Sequence, residues 1–315
     1  MATRRPLLWL VILAAILAPS FAALAQDADP DTGDQVASAD ATAETTVGLP
    51  TTTPEATATP TPEPAVRQPD TAAREQFVQF PSGDQTLGGF IWKPAGDGPF
   101  PAVLYNHGSE QLPGWKPDLG QLFVGNGYVL FIPHRRGQGR SPGPYISDQI
   151  QQAPPSERNR LQVELLEAQV ADQLAGLQYL RSLPYVDTSR LAVAGCSYGG
   201  IQTLLGAEAN PGYRAAVDFA GAAQSWAGNP LLQQRLTRAV QGITIPTFFL
   251  QAENDYDLQP SRVLSAEMDR LGKTSTMRIY PPYGMTRDEG HGGFCEYGGR
   301  VWGADVFAFL RQWLS

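Results

Sequence analysis

Ser197, Asp255 and His291 are three residue types that together can carry out nucleophilic acyl transfer, and they follow one another along the chain in that order. Serine is a weak nucleophile near neutral pH. A base must take its proton, and a carboxylate must orient that base and stabilise it once it is charged. Ser197 sits in Gly195-Cys196-Ser197-Tyr198-Gly199-Gly200, directly after the apolar run Leu191-Ala192-Val193-Ala194. In a chain with 32 glycines the pattern Gly-x-Ser-x-Gly is weak evidence by itself, because it arises by chance. Its flanks supply the specificity. A strand-like run precedes it, and residues 201–209, closed by Asn210-Pro211, have the character of a helix, so strand, sharp turn and helix occur in the order that leaves a serine on the tip. The competing reading is a glycine-rich turn carrying a solvated serine.

The other participants are chosen by position. Residues 246–251 form an apolar run that ends in Ala252-Glu253-Asn254-Asp255-Tyr256-Asp257. Asp255 is preferred over Asp257 because it comes sooner off the strand, and Glu253 is the outsider. His291 lies in Gly290-His291-Gly292-Gly293 near the end of the chain, whereas His107 and His134 follow strand-like runs and read as structural. A tetrahedral intermediate also needs preplaced N–H donors. The amide after the nucleophile, Tyr198, offers one, and the loop His107-Gly108-Ser109 offers the other from Ser109, with His107 bracing the loop. Glu110, Trp115, Tyr145 and Trp226 are the candidate substrate contacts, with Tyr256 as a further aromatic on the same edge. Three histidines and two cysteines show no close ligand spacing, so neither a metal nor a cofactor is expected.

These residues must be positioned by residues 74–315, where apolar runs of strand length alternate with amphipathic helical stretches. That alternation predicts an α/β fold: a mainly parallel sheet with helices on both faces. Eight strands are expected, at 77–80, 86–93, 102–106, 128–133, 190–195, 215–219, 247–251 and 277–280, the first two forming an antiparallel hairpin. The clearest helix spans 158–181, with Leu166, Val170, Leu174, Leu177 and Leu180 as its apolar face. Residues 222–242 leave room for about two short helices, hence a small cap or none.

The first quarter of the chain has a different character. Arg4 and Arg5 precede an apolar stretch that ends in Ala23-Leu24-Ala25, which is the layout of a signal peptide over residues 1–25, exported by a Sec or a twin-arginine route. An uncleaved anchor is the alternative, disfavoured by Pro19 and the cleavage site. Residues 26–73 are rich in Asp, Ala, Thr and Pro and are expected to be a disordered spacer. The net charge of -8 belongs to that spacer, which has 1 basic and 9 acidic residues against 20 and 22 in the rest beyond it. The near-neutral remainder offers no basic stripe for nucleic acid. No stable membrane insertion is expected once the signal is removed, and no feature sets an oligomeric state. Cys196 and Cys295 read as two separate thiols near the site rather than a disulfide, although an exported protein can oxidise them.

Together, Tyr105-Asn106-His107-Gly108-Ser109, Pro133-His134-Arg135-Arg136-Gly137-Gln138-Gly139-Arg140-Ser141, the Ser197 segment, Glu253-Asn254-Asp255 and His291-Gly292 resemble the α/β-hydrolase superfamily over most of residues 77–314. The resemblance is strongest to its dienelactone hydrolase-like branch of small esterases. The second segment is similar to that family's Asp-x-Arg-Gly-x-Gly-x-Ser turn, with His134 where aspartate is common. The resemblance implies Ser197 as nucleophile, Asp255 as acid and His291 as base. One departure bears on substrate: dienelactone hydrolases carry cysteine at the nucleophile position, whereas here Cys196 stands one place early, which points to a general carboxylic ester. The expectation is therefore an exported serine esterase acting on a small molecule through an acyl-serine. A prolyl oligopeptidase-like serine peptidase is the alternative, set back by the lack of a gating domain. A non-catalytic envelope-binding relative is disfavoured because every needed residue is present.

Overall fold

A computed structural model describes residues 74–209 and 211–315. The expected signal peptide and spacer lie outside the described residues. All eight expected strands form, each within a few residues of its predicted limits: β1 Arg74–Ser82, β2 Gln85–Lys93, β3 Phe100–Asn106, β4 Val129–Pro133, β5 Val186–Cys196, β6 Ala215–Phe219, β7 Thr247–Ala252 and β8 Ser275–Tyr280. They make one sheet in the order β1-β2-β4-β3-β5-β6-β7-β8. β1 and β2 form the predicted hairpin, β2 runs antiparallel to β4, and from β4 to β8 every pairing is parallel.

The central strands are apolar at successive positions because both faces of the sheet are covered. On β3 and β5, Ala102, Leu104, Leu191 and Val193 face one core. Val103, Tyr105, Ala192 and Ala194 face the other, as a side-chain period of two requires. The first core is closed by α3 (Arg158–Arg181), α4 (Tyr198–Glu208), α5 (Pro230–Gly242) and α6 (Gln259–Arg270). The second is closed by α1 (Pro117–Gly125), α7 (Phe294–Tyr297) and α8 (Gly299–Trp313), with a short α2 (Ile146–Gln152) preceding α3.

The stretch between β6 and β7, with room for about two short helices, holds turns and one helix, α5, whose Leu232 and Leu236 enter the core. Helix α3 has the predicted limits, but its buried face is half polar: Gln162, Gln169, Asp172 and Gln173 are buried beside Leu166, Leu177 and Leu180, while Val170 and Leu174 are only partly covered. Gln162, Asp172 and Gln173 act as ties to other segments. Asp172, 1% exposed, takes two hydrogen bonds from the Arg136 guanidinium at 2.7 and 2.8 Å, one from its backbone N–H at 3.0 Å and one from Ser82 Oγ at 2.9 Å. That carboxylate joins β1, α3 and the loop after β4, and buried charges survive only when satisfied in this way.

Helix α1 sits hard against the sheet: a methyl group at Gly120 would lie 2.2 Å from the Trp92 ring. Gly120→Ala is expected to cost about 1–3 kcal/mol through overpacking, lowering Tm by roughly 2–4 °C per kcal/mol in a domain of this size. Thermal denaturation followed by circular dichroism checks it; an unchanged Tm would mean that α1 is free to shift.

Candidate active site

The candidate residues gather at the carboxyl ends of the parallel strands, where open α/β sheets bind ligands. Ser197 occupies the turn from β5 to α4 with φ 58° and ψ -118°, a backbone conformation that non-glycine residues avoid. Crowding holds it there. A Cβ at Gly195 would stand 2.3 Å from the Gly199 carbonyl oxygen, and one at Gly199 would stand 1.9 Å from the Asn106 carbonyl oxygen. Glycine is required at both places because backbone meets backbone. The Ser197 N–H donates to Phe219 O at 2.9 Å, tying the turn to β6.

Asp255 follows β7 and is buried. Its Oδ1 accepts from His291 Nδ1 at 2.8 Å and from the Tyr256 N–H at 2.6 Å, and its Oδ2 accepts from Gln251 Nε2 at 2.9 Å. A carboxylate only accepts, so the proton in the contact with His291 belongs to Nδ1 and the lone pair of the neutral ring belongs to Nε2. Nε2 has no hydrogen-bond partner among the described residues. His291 and Ser197 line the same cavity of about 530 Å3. His291 is borne on a π-helical turn, Glu289–Gly293, that runs straight into α7. Such turns recur at functional sites. Phe294 anchors this segment in the second core, where Tyr280 and Tyr283 lie against its ring. The Tyr256 ring meets the imidazole edge to face at 5.5 Å, and its hydroxyl bonds to Asp288.

The weaker alternatives sit elsewhere. Glu253 is exposed, and Asp257 uses Oδ1 to accept the Gln259 N–H at 2.8 Å at the start of α6. His134 accepts the Arg140 N–H at Nδ1 and so donates from Nε2 to Gly114 O at 3.1 Å. His107 is fully buried; burial, then Arg135 beside it, holds its pKa well below the usual histidine range. Both rings are structural.

Of the candidate substrate contacts, only Glu110 lines the cavity. Trp226 is buried in the first core and borders a groove with Gln233 and Val263 instead, because the turns after β6 direct it inward. Trp115 stacks on Trp92 at 5.8 Å. Tyr145 gives its hydroxyl to Ser109 O, holding the loop rather than facing ligand. Ser109 lines the cavity, and the Tyr198 N–H belongs to the first turn of α4, whose amides a helix leaves without intrahelical acceptors.

Several lining residues left no sequence signal: Gln224, Asp288, Lys116, Glu296 and Tyr297. Gln224 arrives through two alanines with positive φ, Ala220 and Ala222, a conformation no propensity argument would assign to alanine. Lys116 Nζ lies 3.0 Å from Glu110 and 2.9 Å from Glu296, linking the loop after β3 to α7. Burial, the largest single influence, would raise the Glu110 carboxyl, but Lys116, a backbone hydrogen bond and Arg135 together outweigh it and hold the pKa below the usual range. Glu110 is therefore pinned to the wall by an ion pair.

Cys196 and Cys295 form a disulfide with Cα atoms 6.1 Å apart, which corrects the expectation of two thiols. Sequence separation concealed the approach of α7 to the serine turn. The bridge spans 99 residues and joins the residue before Ser197 to the helix that continues from His291.

Comparison with known proteins agrees with this geometry. Residues 158–227, from α3 through the Ser197 turn and β6, match the prolyl oligopeptidase family. A segment is 53% identical over 53 residues to the probable dipeptidyl-aminopeptidase B of Metarhizium robertsii, covering 17% of this chain and 6% of that protein. Among solved structures, the acylaminoacyl peptidase of Pyrococcus horikoshii superposes with a TM-score of 0.58 at 18% identity, over 77% of this chain and 42% of that one. The esterase Pf2001 of Pyrococcus furiosus gives 0.57 at 15%, over 78% and 94%. A Klebsiella pneumoniae protein named after dienelactone hydrolase gives 0.54 at 18%, over 75% and 99%. The domain has the α/β-hydrolase fold. It spans less than half the length of the acylaminoacyl peptidase it resembles and a small fraction of the dipeptidyl-aminopeptidase.

Replacing both cysteines by alanine should lower unfolding free energy by about 2–5 kcal/mol, the range for long closed loops, read from urea midpoints; equal midpoints with and without the bridge would contradict it. Asp218, at the end of β6, is wholly buried with Oδ1 on the Gly221 N–H and Oδ2 without a partner among the described residues. Burial pushes its carboxyl up to about 7. The folded state then holds the proton more tightly than the unfolded chain, whose aspartate titrates near ~3.9. This group's contribution is fully present below that value and is lost as pH rises through about 7. Asp218→Asn should gain stability relative to wild type across that window, and parallel pH profiles of the two proteins would refute the assignment.

Proposed function

We propose that this protein is an exported serine hydrolase that cleaves carboxylic esters of small molecules through an acyl-serine intermediate. The observation that carries the reading is the Asp255–His291 hydrogen bond, with the unpartnered Nε2 on the wall of the cavity that also holds Ser197. In this reading His291 removes the Ser197 hydroxyl proton as Oγ attacks the ester carbonyl, and Asp255 orients the ring and stabilises its charged form. Charge gathers on the carbonyl oxygen, where the N–H groups of Ser109 and Tyr198 receive it. His291 returns the proton to the leaving alkoxide as the C–O bond breaks. Water, deprotonated by the same nitrogen, then attacks the acyl carbon, and as the C–Oγ bond breaks His291 returns that proton to Ser197 Oγ and the acid is released. No metal or cofactor enters this scheme.

Two observations support the finer points. Helix α5 packs its leucines into the sheet face, so the stretch between β6 and β7 does not build the large cap that encloses bulky substrates. A disulfide agrees with the oxidising compartment that a signal peptide at residues 1–25 would deliver the protein to. The second reading, a serine peptidase, is favoured by the match of residues 158–227 to the prolyl oligopeptidase family.

Ser197→Ala and His291→Ala should each reduce kcat on p-nitrophenyl acetate by about 10^4–10^6-fold, and the double variant should lose little more, because the residues act as a unit. Fluorophosphonate labelling should vanish in Ser197→Ala. Equal turnover by wild type and Ser197→Ala rejects the nucleophile. A higher kcat/KM on aminoacyl p-nitroanilides than on matched esters transfers the reading to peptidase.

A further inference from the structure

We propose that Arg135 is a positioning residue for acyl transfer: by holding the Gly108 carbonyl it aims the Ser109 N–H at the developing oxyanion. The inference rests on the hydrolase reading above and concerns a residue whose neighbour in sequence does something quite different. Arg136 is paired with Asp172. Arg135, 2% exposed, has no carboxylate within ion-pair distance among the described residues. A buried guanidinium without such a partner needs another use for its donors.

Every hydrogen bond that the guanidinium donates goes to the loop after β3 and its brace. Nη1 donates to His107 O at 2.8 Å, Nη2 to Gly108 O at 2.5 Å, and Nε to Gln138 Oε1 at 3.2 Å. Gln138 in turn donates from Nε2 to Glu110 O at 2.8 Å and Gly108 O at 3.4 Å. The tautomer of His107 follows from the same residue. The Arg135 backbone N–H donates to His107 Nε2 at 3.3 Å, so the neutral ring carries its proton on Nδ1 and gives it to Gly108 O at 3.0 Å. The approach of Arg135 Nη2 to that Nδ1, at 3.2 Å, is then a meeting of two donors that share one acceptor.

Donors from three side chains thus converge on one carbonyl, and the peptide that bears it is the one whose nitrogen belongs to Ser109. A trans peptide is rigid and planar, with C=O and N–H pointing in opposite directions. Fixing the Gly108 oxygen toward Arg135 therefore fixes the Ser109 N–H away from it. The next peptide is held as well, since Tyr145 donates its hydroxyl to Ser109 O. Ser109 and Gly108 both line the cavity with Ser197. A cation on the carbonyl end also draws electron density along the amide and makes its N–H a stronger donor, an effect enlarged where water is excluded. Arg135 does this without touching substrate.

The test compares wild type with Arg135→Met, Arg135→Lys and Gln138→Met on p-nitrophenyl acetate. It adds the inhibition constant of an aryl trifluoromethyl ketone, whose adduct with serine bears an oxyanion, and that of the matching secondary alcohol, which bears none. Arg135→Met should lose about 10^2–10^3-fold in kcat, the range for removing one oxyanion donor, with KM changed less than about threefold. The ketone should weaken by a similar factor and the alcohol should not. Arg135→Lys, which keeps the charge but not the planar fork of donors, should fall between, and guanidinium ion at sub-denaturing concentration should restore part of the Arg135→Met rate. If Arg135→Met does not fold, Arg135→Lys and Gln138→Met carry the comparison, with smaller losses in the same direction. Folded variants that keep kcat within about threefold of wild type, or lose rate while binding the ketone as tightly as before, overturn the proposal while leaving the hydrolase reading intact. An inert wild type that fluorophosphonate does not label overturns both.

Discussion

The whole site depends on one close approach of backbone to backbone, at the turn where β5 becomes α4. Ser197 is driven to positive φ there because the chain must leave the sheet and enter a helix within one residue. The contact that forbids a side chain at Gly199 is a contact with the carbonyl oxygens of Asn106 and His107. The steric limit that creates the strained serine is thus also the distance that sets the loop after β3 beside it. A strain of this kind costs about 1–3 kcal/mol and persists only where surrounding structure over-determines it. Here the β5 and β6 strands, the Ser197 N–H bond to Phe219 and the disulfide at Cys196 do so.

Around that turn the protein organises charge by burial. His107 stays neutral because burial and Arg135 both oppose its protonation. Arg135 itself is brought down to about 10 by burial, within reach of the fields of Glu110 and Asp172 but bonded to peptide carbonyls. At the rim, Lys116 holds Glu110 and Glu296 together, joining the loop that carries Ser109 to the helix that follows His291. The disulfide makes a second, covalent join between the Ser197 turn and α7. Segments far apart in sequence are in this way fastened to each other next to the cavity, and freedom in the position of His291 is restricted from both sides.

Much of this was legible in the residue order because its causes are local. The stretches 102–105 of β3, 129–133 of β4 and 191–194 of β5 appear as unbroken apolar runs since both faces of the sheet are buried, and the turn after β5 announces itself because only glycine tolerates the crowding on either side of Ser197. Asp255 could be preferred over Asp257 on distance from the strand alone, and the structure sets only Asp255 against His291. Helix α3 had clear limits, yet its apolar periodicity misdescribed its buried face. Gln162, Asp172 and Gln173 Nε2 are met there by Tyr198, Asn229, Arg136 and Tyr213 from distant segments, while the Oε1 atoms of Gln169 and Gln173 have no partner among the described residues, and no local pattern records either outcome. For the same reason Trp226 and Tyr145 carried no mark of their true positions.

Residue types and order by themselves determined the layered α/β architecture, the serine at its tip and the succession of acid and histidine, since each follows from burial period or from backbone sterics acting over a few residues. Tertiary structure alone decided which groups are near each other across tens of residues. It closed the bridge between Cys196 and Cys295, pinned Glu110 to Lys116, turned Ala220 and Ala222 into the left-handed region, and set Arg135 on the Gly108 carbonyl while its neighbour Arg136 went to Asp172. Those outcomes are energetic compromises between desolvation and the partners that packing happens to deliver, and such partners exist only once the sheet has brought the loops at its carboxyl edge together.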